Sequence, residues 1–161
     1  MSIETARAYL KKWNRDGDIR ELKVSTATVA LAAEALGVAA GRIAKSISLY
    51  VKGGGAMLLT TSGDTRLDNR RFKDQFGFSP KMLSAEDVLR RTGHSVGGVC
   101  PFGLPKDVAV YLDESLKRFE TIFPACGNSN AMIELTPDEL NQYAQSRGWV
   151  SVCKLAEDDA A

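Results

Sequence analysis

A chain of 161 residues fits one domain by length, and at that size roughly 70% of the unfolded surface is buried, so a core forms without staples. With 44% hydrophobic and 25% charged residues the profile is that of an ordinary globular protein, and a net charge of +1 excludes one that coats nucleic acid indiscriminately. Three widely spaced cysteines, Cys100, Cys126 and Cys153, make no CxxC pair, which argues against a zinc knuckle or a thioredoxin-type site and for a reduced cytoplasmic protein.

The N-terminal residues run straight into an amphipathic pattern, with no signal peptide. No apolar run approaches the ~20 residues that a membrane span needs. Ile3, Ala6, Leu10 and Trp13 sit at helical spacing and predict a surface helix over 3–13, ended by Asp16-Gly17-Asp18. Leu22 and Val24 suggest a short strand. Ser25, Thr26 and Thr28 offer caps for a helix whose buried face is Val29, Ala32, Ala33 and Leu36, with Gly37 at its end. A strand over 46–51, a turn at Gly53-Gly54-Gly55 and a partner strand over 57–61 form a predicted hairpin.

Asp68 caps the next helix, with Leu67 and Phe72 placed as a staple and Gly77 as the stop. Ser84 caps a short helix over 85–91. Residues 92–105 form a loop rich in glycine and proline, and strands are expected at 107–112, 119–123 and 131–135. Thr136, Pro137 and Glu139 spell a capping box for a helix running to Gly148, stapled by Leu135 and Leu140. A last strand is expected over 149–153, and the acidic run Glu157-Asp158-Asp159 is the one stretch expected to be disordered. Strands and helices are interspersed but hairpins are present, so the expected fold is a mixed α/β sheet rather than a doubly wound one.

Two features stand out chemically. Lys45 shares the two-residue parity of Ile47, Leu49 and Val51, so its ammonium points to the core side of its strand, where it needs a partner or a ligand unless it snorkels to water. The loop from Thr92 to Pro105 holds four glycines, two prolines and no acidic residue, and its exposed amides can bind a phosphate or a carbonyl oxygen. His94 is the sole histidine, without a motif partner. Cys100, inside the loop, is a nucleophile or a small buried hydrophobe; Cys126 carries the same two readings. Arg66, Arg70, Arg71 and Lys73 form either a solvated helix face or a phosphate contact. No HExxH, DxDxDG or Ser-His-Asp pattern occurs.

These segments together resemble the YbaK / prolyl-tRNA editing family. Ala32 to Val38 with Gly41 to Ser46 resembles its signature helix and lysine. Gly97-Gly98-Val99-Cys100-Pro101-Phe102-Gly103 resembles its GxxxP loop, with Gly97 and Pro101 at the ends. Ala125-Cys126-Gly127-Asn128, Met132 to Leu135 and Glu139-Leu140 resemble its C-terminal strand and helix. The match in order and spacing covers roughly residues 3 to 153.

The resemblance implies a barrel-like mixed sheet flanked by helices, forming a single domain over 1–161. It implies a hydrolase, without metal, cofactor or covalent enzyme intermediate, that cleaves the ester between a wrong amino acid and tRNA. Lys45 would hold the tRNA end and be needed for activity. Gly97, Gly98, Val99, Cys100, Pro101 and Gly103 would surround the aminoacyl group together with Val29 and Met132, and His94 and Asn128 are further candidates. Water or the terminal ribose hydroxyl would take part in the chemistry. Met132 stands where the cysteine-specific branch has an acidic residue, and Val29 where that branch has an aromatic one. The loop reads Gly-Val-Cys-Pro-Phe rather than Gly-Ile-Ser-Pro-Leu. The expected substrate is therefore a small amino acid (Ala, Ser, Thr or Cys) mischarged on tRNA, with tRNA for proline favoured. A synthetase is a possible partner, and neither a membrane nor DNA is. Two other readings stay open: a tRNA-end or nucleotide-binding module without turnover, and a Cys100 thiol hydrolase.

Overall fold

The structure is a computed structural model that describes residues 2–156; the acidic run at 157–159 lies outside them. In chain order, helix α1 (Ser2–Lys11) and strand β1 (Arg20–Glu21) precede α2 (Val29–Leu36). The hairpin β2 (Ile43–Tyr50) and β3 (Ala56–Ser62) follows, then the short β4 (Thr65–Leu67). Helices α3 (Asn69–Phe76) and α4 (Ala85–Thr92) lead to the glycine loop and β5 (Ala109–Asp113). Strands β6 (Phe123–Pro124) and β7 (Ala131–Met132), helix α5 (Pro137–Ala144), β8 (Trp149–Val150) and β9 (Cys153–Leu155) complete the described chain.

The helices begin where side-chain oxygens satisfy their first amides. Thr28, Asp68, Ser84 and Thr136 each accept from a first-turn N–H. In α5 the box is reciprocal: Glu139 N–H donates to Thr136 Oγ1 at 3.1 Å, and Thr136 N–H donates to Glu139 Oε1 at 2.9 Å. α2, α3 and α4 each stop at a left-handed glycine.

The main sheet has the order β6-β2-β3-β5-β8. β2 and β3 are antiparallel, while β6 joins β2, β5 joins β3 and β8 joins β5 in parallel. Every residue of β3 is buried, as a central strand requires. Bridges between Ala125 and Met132 and between Ile122 and Leu135 carry the ladder on to β7, which pairs with β1. β4 and β9 form a separate antiparallel pair.

Strand parity divides the apolar residues between two faces. Ala44, Ala56, Leu58, Val110 and Leu112 meet Ala6 and Leu10 of α1 and Leu140 and Ala144 of α5. Leu49, Met57 and Leu59 meet Phe72 of α3 with Val150, Val152 and Cys153. Asp113 ties the C-terminal segment to the sheet by accepting from Val152 N–H at 2.9 Å and Ser115 N–H at 3.0 Å.

Several expected boundaries move. Leu22 and Val24 make no strand: β1 lies just before them, and Val24 is exposed. The segment around 114–118 is a 3-10 turn, and of 119–123 only Phe123 joins a strand. The expected strand 131–135 is regular over two residues and continues as isolated bridges. α5 ends at Gln145 in the left-handed region (φ 50°), three residues short of Gly148. Segment 149–153 splits between two sheets, with Trp149–Val150 beside β5 and Cys153 beside β4.

Candidate active site

The site begins as an interruption in a sheet edge. On its outer side β2 pairs with β6 only at Ile43 and Ala44. Farther along, Leu83 N–H donates to Ser48 C=O at 3.0 Å, and Tyr50 N–H donates to Lys81 C=O at 2.9 Å. Between these contacts no described strand covers Lys45, Ser46 or Ile47. By the two-residue period, the N–H and C=O of Ser46 face this uncovered edge.

A pocket of about 360 Å³ opens over the gap. One side is β2, including Ser46 and Ser48; another is the loop into α2, with Thr26, Thr28 and Val29. Val99 and Gly97 close it from the glycine loop, Met132 and Ala125 from the β6–β7 region, and Met82, Leu83 and Val88 from the α4 side. The lining is mostly small and aliphatic with four hydroxyls, and Lys45 is its one charged residue. It contains no histidine, cysteine or carboxylate. Such a space suits a small ligand carrying negative charge near the lysine and a compact apolar group.

Lys45 is half-buried, on the face of β2 that carries Ile47 and Leu49. Its ammonium donates to the Thr65 carbonyl at the start of β4. Burial pulls its pKa below the usual lysine value, against smaller opposing effects of Cys153 and Asp64. Asp64 is itself held low by Arg118, whose guanidinium lies 2.5 Å from a carboxylate oxygen. The carboxylate that acts on the lysine is thus already paired.

The glycine loop is built from close backbone contacts. Gly97 takes φ 95°, and a Cβ at Gly98 would lie 2.5 Å from Asn128 Cα, so residues 97–98 fit flush against the 127–129 turn. His94 is fully buried beneath the loop. Its Nε2 is 2.8 Å from the Phe102 carbonyl, which can only accept, so the proton sits on Nε2. Nδ1 is buried without a partner, and burial lowers the histidine's pKa. Cys100 Sγ lies 3.6 Å from the same Nε2.

Of the residues singled out in the sequence, Lys45, Gly97, Val99, Val29 and Met132 line one pocket. Gly98 and Asn128 line its neighbour instead. Pro101 and Gly103 border a groove beside Tyr9, and Cys100 is in the first core. Cys100 is fully buried and its thiol is held protonated, its pKa pushed up to about 12 by burial, which argues against the nucleophile reading. Cys126 is likewise buried with its pKa raised. Of the basic stretch, Arg71 donates to the Cys153 carbonyl at 2.7 Å, and none of Arg66, Arg70, Arg71 and Lys73 lines the pocket. Thr26 and Thr28, which the sequence offers only as caps, also line the pocket with Ser46 and Ser48, which the sequence did not single out; the parity argument that selected Lys45 also places Ser46 and Ser48 together on the opposite face. Among the described residues, no group of three His, Cys, Asp or Glu is placed to hold a metal, and no helix is long and apolar enough to cross a membrane.

Comparison with known proteins places this geometry among relatives. The family described as "Aminoacyl-tRNA editing domain" matches residues 23–143. The protein YwhH of Bacillus subtilis (strain 168), described as uncharacterized, is 50% identical over 154 residues, covering 96% of this chain and 98% of its own. EbsC of Enterococcus faecalis (strain ATCC 700802 / V583), named as a candidate Cys-tRNA(Pro)/Cys-tRNA(Cys) deacylase, is 29% identical over 109 residues, 67% of this chain and 66% of its own. A solved structure described as a candidate trans-editing enzyme for prolyl tRNA synthetase superposes with a TM-score of 0.85 at 29% identity, covering 95% of this chain and 97% of that one.

Proposed function

The chain belongs to the aminoacyl-tRNA editing domain family, and from that premise we propose that it is a cytoplasmic hydrolase that removes a small mischarged amino acid from tRNA. Alanine, serine, threonine and cysteine are the substrates of the right size, and tRNA for proline is the favoured carrier. The observation that carries this reading is the pocket itself: one lysine, one wall from the glycine loop, and four hydroxyls with no histidine, cysteine or carboxylate in the lining to activate them.

That inventory suits an activated ester. Lys45 holds a phosphate of the terminal nucleotide, its ammonium leaving the Thr65 carbonyl for the stronger partner. The aminoacyl side chain enters among Val29, Val99, Ala125 and Met132. Amides of the glycine loop receive the negative charge that develops on the carbonyl oxygen. A water attacks the carbonyl carbon and the C–O bond to the ribose breaks. The ribose oxygen leaves with a proton passed from the water through the neighbouring hydroxyl. The products are free amino acid and intact tRNA. Positioning and oxyanion stabilisation supply the rate. Editing is needed because a synthetase pocket rejects a smaller side chain only weakly.

The test is a deacylation panel. tRNA for proline is charged with alanine, cysteine, serine or threonine and run beside correctly charged alanine, serine and threonine tRNAs. Wild-type protein should discharge one of the mischarged species, and Lys45→Ala should be slower by at least about a hundredfold. If every ester survives while uncharged tRNA binds equally well to wild type and Lys45→Ala, the chain is a binding module instead.

A further inference from the structure

A second cavity, of about 470 Å³, opens beside the first. Val96 lines both and is 66% exposed on the ridge between them. Gly97 faces the first cavity and Gly98 the second. Gly98 lies flush on the Asn128 backbone, with no room for a side chain.

The second cavity combines two kinds of wall. Leu89, 54% exposed, and Val96 are apolar, although both are open to water. Ser95, Asn128 and Ser129 are polar, and no lining residue carries a charge. The Oδ1 of Asn128 accepts from Asn130 N–H at 3.2 Å, which fixes the amide. Its NH2 group bonds no other described residue and remains free to donate. Apolar side chains against a flat face, with amide and hydroxyl groups at an edge, can hold an unstacked nucleobase. A charged or strongly basic groove would suit a phosphate instead.

We propose that this cavity is a nucleobase subsite, which seats the base of the nucleotide preceding the aminoacylated terminal adenosine. The inference rests on the deacylase reading, because the occupant of the first cavity sets where the strand must go next. A strand whose last residue enters the first cavity has to cross the rim, and Val96 is the rim that leads directly into a second binding space. The base lies against Leu89 and Val96, with its edge toward the Asn128 amide.

The experiment compares two substrates, aminoacyl-tRNA and the aminoacyl ester of adenosine alone, with wild type, Leu89→Asp and the milder Leu89→Ser. On tRNA, kcat/KM should fall roughly tenfold in Leu89→Asp, the size of one base contact, mostly through KM. On the adenosine ester the variants should match wild type. A tRNA lacking the penultimate base should be as slow with wild type as intact tRNA is with Leu89→Asp, and Leu89→Asp should slow it no further. Unchanged tRNA hydrolysis in both variants would overturn the subsite, while leaving the deacylase reading intact. Equal slowing of both substrates would overturn it too, since the effect would then be structural. An effect of Leu89→Asp seen only with a synthetase present would assign the cavity to a protein partner and overturn the base. If wild type discharges no ester, the deacylase reading falls, and the subsite is then tested by anisotropy with an uncharged four-nucleotide strand ending in CCA. Weaker binding of the strand abasic at its penultimate position would support the subsite; equal binding would overturn it.

Discussion

At the scale of single residues, two buried groups govern the glycine loop. Gly98 has no room for a side chain, because the nearest atoms to a Cβ are backbone and cannot rotate away. Gly98→Ala should therefore push residues 97–99 off the 127–129 turn, at a cost of about 1–3 kcal/mol in chemical denaturation. His94 makes the loop sensitive to acid. The native state keeps this imidazole neutral, whereas the unfolded chain binds its proton near the usual value of 6.5. Below about pH 6.5 the unfolded state holds more protons, so stability falls as pH drops. Denaturation midpoints measured down through this range should fall less in His94→Gln than in wild type. Lys45 works at the other end of the scale. Its pKa is lowered by burial, so activity should decline on the alkaline side, beginning below the ordinary 10.5. After subtraction of uncatalysed ester loss, Lys45→Arg should lack that limb if it retains activity.

At the scale of elements, local chemistry was legible and long-range pairing was not. Asp68, Ser84 and Thr136 each cap where their side chains lie one residue ahead of a helical pattern. Replacing Thr136 by Ala removes the centre of the reciprocal box and should cost about 1 kcal/mol, read as a lowered unfolding midpoint. The run 149–153 looked like one strand because its apolar residues are nearly continuous. It divides because Val152 turns its N–H to Asp113, a partner 39 residues away. Likewise 131–135 is a strand in pattern, but only Ala131–Met132 is regular and isolated bridges carry the rest. The same limit affected the glycine loop: Val99 faces the pocket and Cys100 the core, and only the fold shows where the chain dives. Lys45 was readable because its clue was local, a charge at the parity of Ile47 and Leu49.

At the scale of the whole molecule, charge is nearly balanced, and many basic groups are already engaged. Arg42 and Arg20 both meet Glu134, Arg15 meets Asp18 and Glu139, and Arg118 meets Asp64. Grip on tRNA should then depend on a few phosphates. A plot of log Kd against log salt should be shallow, with a slope of magnitude about 2 or less, and a much steeper dependence would point to a basic surface still unrecognised.

The pairing of β4 with β9 has a consequence for when the protein becomes competent. Thr65, the carbonyl partner of Lys45, sits on β4, and the strand that pairs with β4 is formed by residues 153–155. A ribosome must therefore translate past position 155 before the lysine's surroundings can be completed, however early the hairpin that carries it has folded. A nascent polypeptide that stops short of β9 would hold the lysine without its support. Competence would arrive abruptly, once β9 is made, rather than growing with chain length.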